Sequence, residues 1–154
     1  MSARRDSVPL VTFALGEHLF AADVREVERV LKVREVSPVP NTPDWLLGMM
    51  PHRDTAVPLL DLRRRFELPD ATSLEERRMV IFGTADGYIA AVVDRVLDVK
   101  GVDPADLEAP PALVRGLARE YVRAVFRRDG CLTILLDAAR LLSATERLAL
   151  VADA

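Results

Sequence analysis

A chain of 154 residues fits one domain, or two small lobes sharing a core. At that size folding buries roughly 68–70% of the chain's surface, so no metal or disulfide staple is needed. Half the residues are apolar, 29% are charged and the net charge is −3, which removes a global electrostatic case for nucleic acid or an acidic membrane surface. Aromatic residues make up only 5%, too few for a base-stacking platform.

In chain order, "MSARRDSVPLVTFAL" has two arginines but too short an apolar stretch for a signal peptide or a membrane span, so a cytoplasmic location is expected. "LVTFAL", "GEH" and "LFAAD" read as strand, tight turn and strand, with Val11, Phe13 and Leu15 on one face. Asp23 is placed to cap a short helical turn, with Glu26 as its capping-box partner. The valines at 24, 27, 30 and 33 then predict extended chain. In "SPVPNTPDWLLG", Thr42 is placed to cap, Pro43 to open a helical turn, and Gly48 to end a turn holding Trp45, Leu46 and Leu47. A strand at 56–60 follows, where Pro58 argues for an edge or a bulge, and then a short helix capped by Asp61. "PDATSLEERR" is the clearest linker. The basic run 63–65 reads as a solvated helix face. "MVIFGTADGYIAAVVDRVLDV" repeats the hairpin, turning at Asp86-Gly87. After a second proline-rich connection, "EYVRAVF", "RRDG" and "CLTILL" give strand, turn and strand. The lone Cys131 excludes an intramolecular disulfide, and its apolar run predicts a buried structural thiol. A short helix is expected at 137–142, and Ser143 with Glu146 forms a capping box for a C-terminal helix to about Ala152.

The two halves resemble each other. "GEHLFAADVREV" aligns with "ADGYIAAVVDRV", Gly48 falls opposite Gly116, and "VPLLDLRRRF" aligns with "TILLDAARLL", matching Asp61 to Asp137. Many short strands with Gly/Pro turns favour small barrels, and two barrels packed together are expected.

Catalytic chemistry finds no support. "HRD" at 52–54 matches the opening of a protein-kinase catalytic loop, but Leu59 stands where magnesium needs an Asn, and no Gly-rich loop or Asp-Phe-Gly is present. His52 and His18 belong to no ligand-spaced cluster, and His52 reads as a partly exposed corner residue. Turn or helix capping accounts for Asp61, Asp94 and Asp137. A phosphatase using His52 and Asp54 lacks a second acidic cluster. No enzyme activity, cofactor or metal is expected.

"VTFALGEHLFAADVREVERV", "NTPDWLLG" followed by Arg53 and "VPLLDLRRRF", "VVDRVLDV", "EYVRAV" and "LLDAARLL" occur in order from Leu10 to Glu146. In this the chain resembles the CheW-like coupling domain of bacterial chemosensory arrays. The resemblance implies a mostly β fold of two intertwined five-stranded SH3-like β-barrels with short helices and a C-terminal helix. The single domain would span 8–148, with lobes at about 16–66 (plus the N-terminal strand) and 79–142, and flexible tails at 1–7 and 149–154. It implies a non-enzymatic scaffold joining the cytoplasmic tips of chemoreceptors to a CheA-type histidine kinase regulatory domain. Recruitment to membrane-associated receptor clusters would follow, without membrane insertion, along with weak self-association through exposed edges.

The family's Gly-x-x-x-x-Arg-Gly motif matches Gly48 and Arg53, which implies that Arg53 positions a partner-facing loop through its guanidinium fork. The alternative is a surface ion pair to Asp54 or Glu35. Val27, Arg29 and Val30 match a partner-facing region, and Val93 and Val96 match an inter-lobe groove for a receptor helix, though both valines equally suit a core. The sequence departs from the family pattern at Pro51-His52-Arg53-Asp54, where Asn-Leu-Arg-Gly is usual. Asp54 thus replaces a glycine suited to positive φ, and Arg29 stands where an acidic residue is common. The altered surface raises an alternative: an adaptor of an accessory chemosensory system (type IV pili or surface motility), or of a polarity or clustering protein.

Overall fold

The computed structural model describes residues 7–69, 77–110, 113–114 and 117–152. The expected linker at 69–78 therefore lies mostly outside the described residues, as do Gly116 and the tail positions 1–6 and 153–154.

β1 (Val8–Leu15) and β2 (His18–Asp23) form the first hairpin. The Asp23 carboxylate accepts the Arg25 amide at 2.9 Å and caps one 3-10 turn, Val24–Glu26. The reciprocal capping bond does not form, because Glu26 instead lies 3.3 Å from Arg123 across the molecule. β3 (Val27–Lys32) is the predicted extended stretch. β4 (Leu46–His52), β5 (Thr55–Asp61) and the short helix α1 (Leu62–Arg65) follow, with Asp61 accepting the amides of Arg63 and Arg64 as cap. Then come β6 (Arg78–Thr84), β7 (Gly87–Val93) and β8 (Arg95–Val102). A 3-10 turn at Pro104–Asp106 leads to the two-residue strands β9 (Leu113–Val114) and β10 (Leu117–Ala118). β11 (Val122–Arg128), β12 (Cys131–Leu136), a 3-10 turn at Ala138–Arg140 and α2 (Ala144–Ala152) complete the order.

The fold is mostly β, with two five-stranded sheets ordered β11-β12-β2-β1-β8 and β3-β6-β7-β5-β4. Neither sheet is one contiguous half of the chain. Each takes an opening hairpin from one repeat and the remaining strands from the other, so the sheets are intertwined. The repeat reaches the level of register. The parallel pairing Leu59↔Ala90 of β5 and β7 has its counterpart in Leu135↔Ala21 of β12 and β2. The bulge between Leu46 and Gly48 recurs between Val122 and Ala124, and the bridge Ser37↔Met49 recurs as Glu108↔Val125. Ala124, not Gly116, is thus the structural counterpart of Gly48.

Alternate residues of the apolar runs serve different clusters, which is why these strands read as continuous rather than alternating. On β7, Ile89, Ala91 and Val93 join the main core between the sheets, whereas Ala90 and Val92 pack with Met50, Leu59 and Met79 inside one sheet. Leu10, Ala21, Phe126 and Leu135 fill the equivalent space in the other.

Several local expectations change. Leu46 and Leu47 belong to β4 rather than a helical turn; the Leu46 amide reaches the Pro43 carbonyl at 3.1 Å, and Thr42 donates back to Val39 instead of capping. Pro58 sits in an interior strand, just before the stretch of β5 that pairs with β7, so its missing N–H breaks no bond to that neighbour. The second hairpin turns at Ala85-Asp86, with Gly87 (φ 117°) opening β7. Cys131 is exposed, because it begins β12 at the turn end of the β11–β12 hairpin, opposite Arg128.

Two charged joints hold the parts together. Asp94 accepts the Gly16 amide at 2.6 Å and ion-pairs with Arg63, tying α1 to the β1–β2 turn rather than capping a turn of its own. Asp137 likewise makes no cap and pairs with Arg123 at 3.2 Å. α2 begins with a complete capping box: the Ser143 amide reaches Glu146 at 2.8 Å, and the Glu146 amide reaches Ser143 Oγ at 3.1 Å.

Candidate partner-binding surface

The sequence "HRDT" makes a two-residue hairpin loop between β4 and β5, with Arg53 at φ 49° and Asp54 at φ 61°. Both loop residues are left-handed, the geometry that matches strand twist and that Asn-Gly adopts most readily. Here two bulky residues hold it against the steric preference of their Cβ atoms. The Thr55 hydroxyl donates to the His52 carbonyl at 2.7 Å and fixes the loop's base.

Arg53 meets neither Asp54 nor Glu35. Its Nε donates to Glu28 Oε1 at 2.7 Å, and Nη2 lies 2.6 Å from the same oxygen. Glu28 belongs to β3 and Arg53 to the β4–β5 loop, the two outer elements of one sheet. Their contact therefore links the two ends of the sheet through side chains. The other sheet does the same, with Asp98 of edge strand β8 paired to Arg128 of β11 and accepting from the Thr12 hydroxyl. There the Asp98 carboxyl is held below its usual value, chiefly by the Arg128 and Thr12 hydrogen bonds. The Arg53 side chain is 62% exposed, so its guanidinium keeps donors for other oxygens.

His52 lies beneath this pair. Its ring stands edge-on to Tyr88 with centroids 4.8 Å apart, and its side chain is only 10% exposed. A short distance along the same edge, Val30 (41% exposed) and Arg78 from one sheet face Arg95 and Val96 from the other across a groove of about 380 Å³. The groove is lined by two valines, one from each sheet, and by two arginines.

The expected site residues fall into three groups. Arg53, Asp54, Val27, Arg29 and Val30 gather on the β3 edge and the loop beside it, and Val96 lines the groove. Gly48 is buried and shapes the site from below: a Cβ there would lie 2.4 Å from the Ser37 carbonyl oxygen. Val93 is 0% exposed and packs in the main core, where no partner reaches it; of the two readings for this residue, core is the one its burial fits. Glu28, Tyr88, Arg78 and Arg95 were not singled out from sequence. They meet the loop and groove only through long-range strand pairing, which leaves no local signal.

Among the described residues no cluster of His, Cys, Asp and Glu is arranged to hold a metal, and no helix is long and apolar enough to cross a membrane.

Comparison with known proteins agrees with this architecture. Residues 9–146 match the CheW-like domain family. The chain is 33% identical over 150 residues to the chemotaxis protein CheW of Treponema pallidum, covering 95% of this chain and 88% of that protein. It is 30% identical over 119 residues to protein FrzA of Myxococcus xanthus, covering 77% of this chain and 73% of that one. The crystal structure of the scaffolding protein TtCheW from Thermoanaerobacter tengcongensis superposes with a TM-score of 0.83 at 24% identity, over 91% of this chain and 90% of that one, a likeness of fold.

Proposed function

This chain belongs to the CheW-like domain family, a family of scaffolds and adaptors, and from that premise we propose that it couples chemoreceptors to a CheA-type histidine kinase without catalysing a reaction. The observation that carries the proposal is the Arg53 loop beside an open groove. A solvent-facing guanidinium on a strained, fixed loop is a preorganised anchor for a carboxylate or carbonyl of a partner. The kinase regulatory domain is the partner assigned to this loop and to the β3 edge with Val27, Arg29 and Val30. The groove of Val30, Arg78, Arg95 and Val96 suits the amphipathic helix of a receptor tip whose apolar seam is flanked by acidic side chains. Because the groove spans both sheets, a bound helix that shifts their relation alters what the loop presents, and this gives coupling a physical route.

Arg29 favours a second reading, an adaptor for an accessory chemosensory system or for a polarity or clustering protein. It is an exposed cation on β3 next to Glu28, where an acidic residue is common. One experiment separates the two. Binding of the purified chain to the regulatory domain of the histidine kinase encoded beside it is measured at two salt concentrations for wild type, Arg53→Ala and Arg29→Glu. Micromolar binding by wild type, weakened at least about tenfold by Arg53→Ala with the fold intact, supports the first reading. Binding gained only by Arg29→Glu supports the second.

A further inference from the structure

His52 occupies an unusual position for an imidazole. Its Nε2 is shut off from solvent yet has no hydrogen-bond partner. The Glu28 carboxylate oxygen Oε1 is 3.9 Å away, beyond hydrogen-bond reach. That oxygen already accepts the Arg53 Nε–H, and Arg53 Nη2 lies 2.6 Å from it. The oxygen nearer His52 is therefore already engaged by the Arg53 guanidinium. Imidazole is the side chain that ordinarily exchanges its proton between about pH 5 and 8. Once protonated, it donates from both nitrogens and places a positive charge beside a carboxylate whose nearer oxygen Arg53 already engages.

We propose that His52 is a proton-operated regulator of the Arg53 loop: its protonated ring competes with Arg53 for Glu28 and frees the Arg53 guanidinium for a partner. The charged and titratable groups around His52 are Glu28 from β3, the next two residues of the loop, Arg53 and Asp54, and Tyr88 from β7, whose ring is perpendicular to the imidazole. Only Glu28 among these is an anion in contact with both cations. His52 is enclosed and cannot move away, whereas Arg53 is mostly exposed on a loop already held at positive φ. Arg53 is therefore the cation that leaves. The loop then presents an unpaired guanidinium when His52 is protonated and a self-neutralised one when it is neutral.

The inference rests on the reading of Arg53 as partner-facing, so its test begins without a partner. Nitrogen-detected NMR of the full chain follows the Arg53 Nε–H and the His52 ring from pH 8 to pH 5.5, with His18 as internal control. The expected result is that the Arg53 signal moves with the same midpoint as the His52 ring. It stays fixed in His52→Leu, and in Glu28→Gln it is already at its acidic position at every pH. An Arg53 signal that ignores His52 protonation, or moves equally in His52→Leu, overturns the proposal. Glu28→Gln carries the test should His52→Leu disturb the fold. In a second arm, the kinase regulatory domain is expected to bind at least about fivefold more tightly at pH 6 than at pH 8, with the difference lost in His52→Leu. No binding at either pH would overturn the kinase-coupling role while leaving the His52–Arg53 linkage to stand or fall on its spectra.

Discussion

At the scale of single residues, Gly48 shows how a motif position can matter without touching a partner. Its backbone (φ 156°) lies so close to Ser37 that an added Cβ would meet the carbonyl oxygen at 2.4 Å and the carbonyl carbon at 2.8 Å. Gly48→Ala is expected to lower the unfolding free energy by about 2–3 kcal/mol, read from the urea midpoint, because backbone on both sides has to give. The resemblance to a family motif picked out this glycine and Arg53. Local patterning placed the glycine at the end of a turn, and the alternative ion pair considered for the arginine named Asp54 or Glu35 where the structure has Glu28. A glycine before an apolar strand signals special backbone without saying whether a turn or a bulge uses it. Glu28, the true partner of Arg53, is one of many glutamates in a charged stretch until β3 is folded against the loop.

Among the elements, α2 depends most visibly on side-chain chemistry. Arg65 reaches from α1 to Glu146 with two bonds of 3.0 and 2.7 Å and to the Leu141 carbonyl at 3.1 Å. Its guanidinium lies 4.0 Å over the Trp45 ring and 5.3 Å from that of Tyr121. Burial raises the Glu146 carboxyl, but the Arg65 bonds and the Ser143 amide outweigh it, and the net effect lies below the usual 4.5. A carboxyl lowered in the folded state stabilises above its unfolded value and ceases to do so as pH falls through the folded one. The α2 amides are therefore expected to exchange with solvent faster at pH 3.5 than at pH 6, after correction for intrinsic rates. Arg65→Lys, which keeps the charge and loses the planar fork, should speed their exchange about tenfold at pH 6. The capping box of α2 was legible because four consecutive residues contain it. Arg65 looked like part of a solvated basic run, because its aromatic and acidic partners come from three distant segments.

For the whole molecule, the interleaved sheets make stability a shared property. The Asp94–Arg63 pair is largely enclosed and joins α1 to the β1–β2 turn that belongs to the other sheet. Burial alone would raise the Asp94 carboxyl, yet Arg63 and the Gly16 amide hold it below 3.8, so its contribution is present above that value and fades in stronger acid. Asp94→Asn is expected to cost about 2 kcal/mol at pH 7, less than a fully buried pair, and markedly less at pH 3. Unfolding should remain a single transition, since neither sheet is complete without strands of the other repeat. A populated half-folded state in urea would contradict this. The repeat itself was visible in the sequence, as was the class of fold. The intertwining of the sheets came only from the family resemblance and not from the residue pattern, because periodicity reports which face of a strand is buried and is silent about which strand lies alongside.

That intertwining also sets a timetable during synthesis. The hairpin that emerges first, β1–β2, must leave the outer edge of β2 unpaired until β12 arrives, because Leu19 aligns with Thr133. At about 5–20 residues per second the nascent strand waits on the order of ten seconds beside an apolar face with no lasting neighbour. In a crowded cell that interval, rather than the finished protein, is when the chain is most exposed to pairing with another copy of itself.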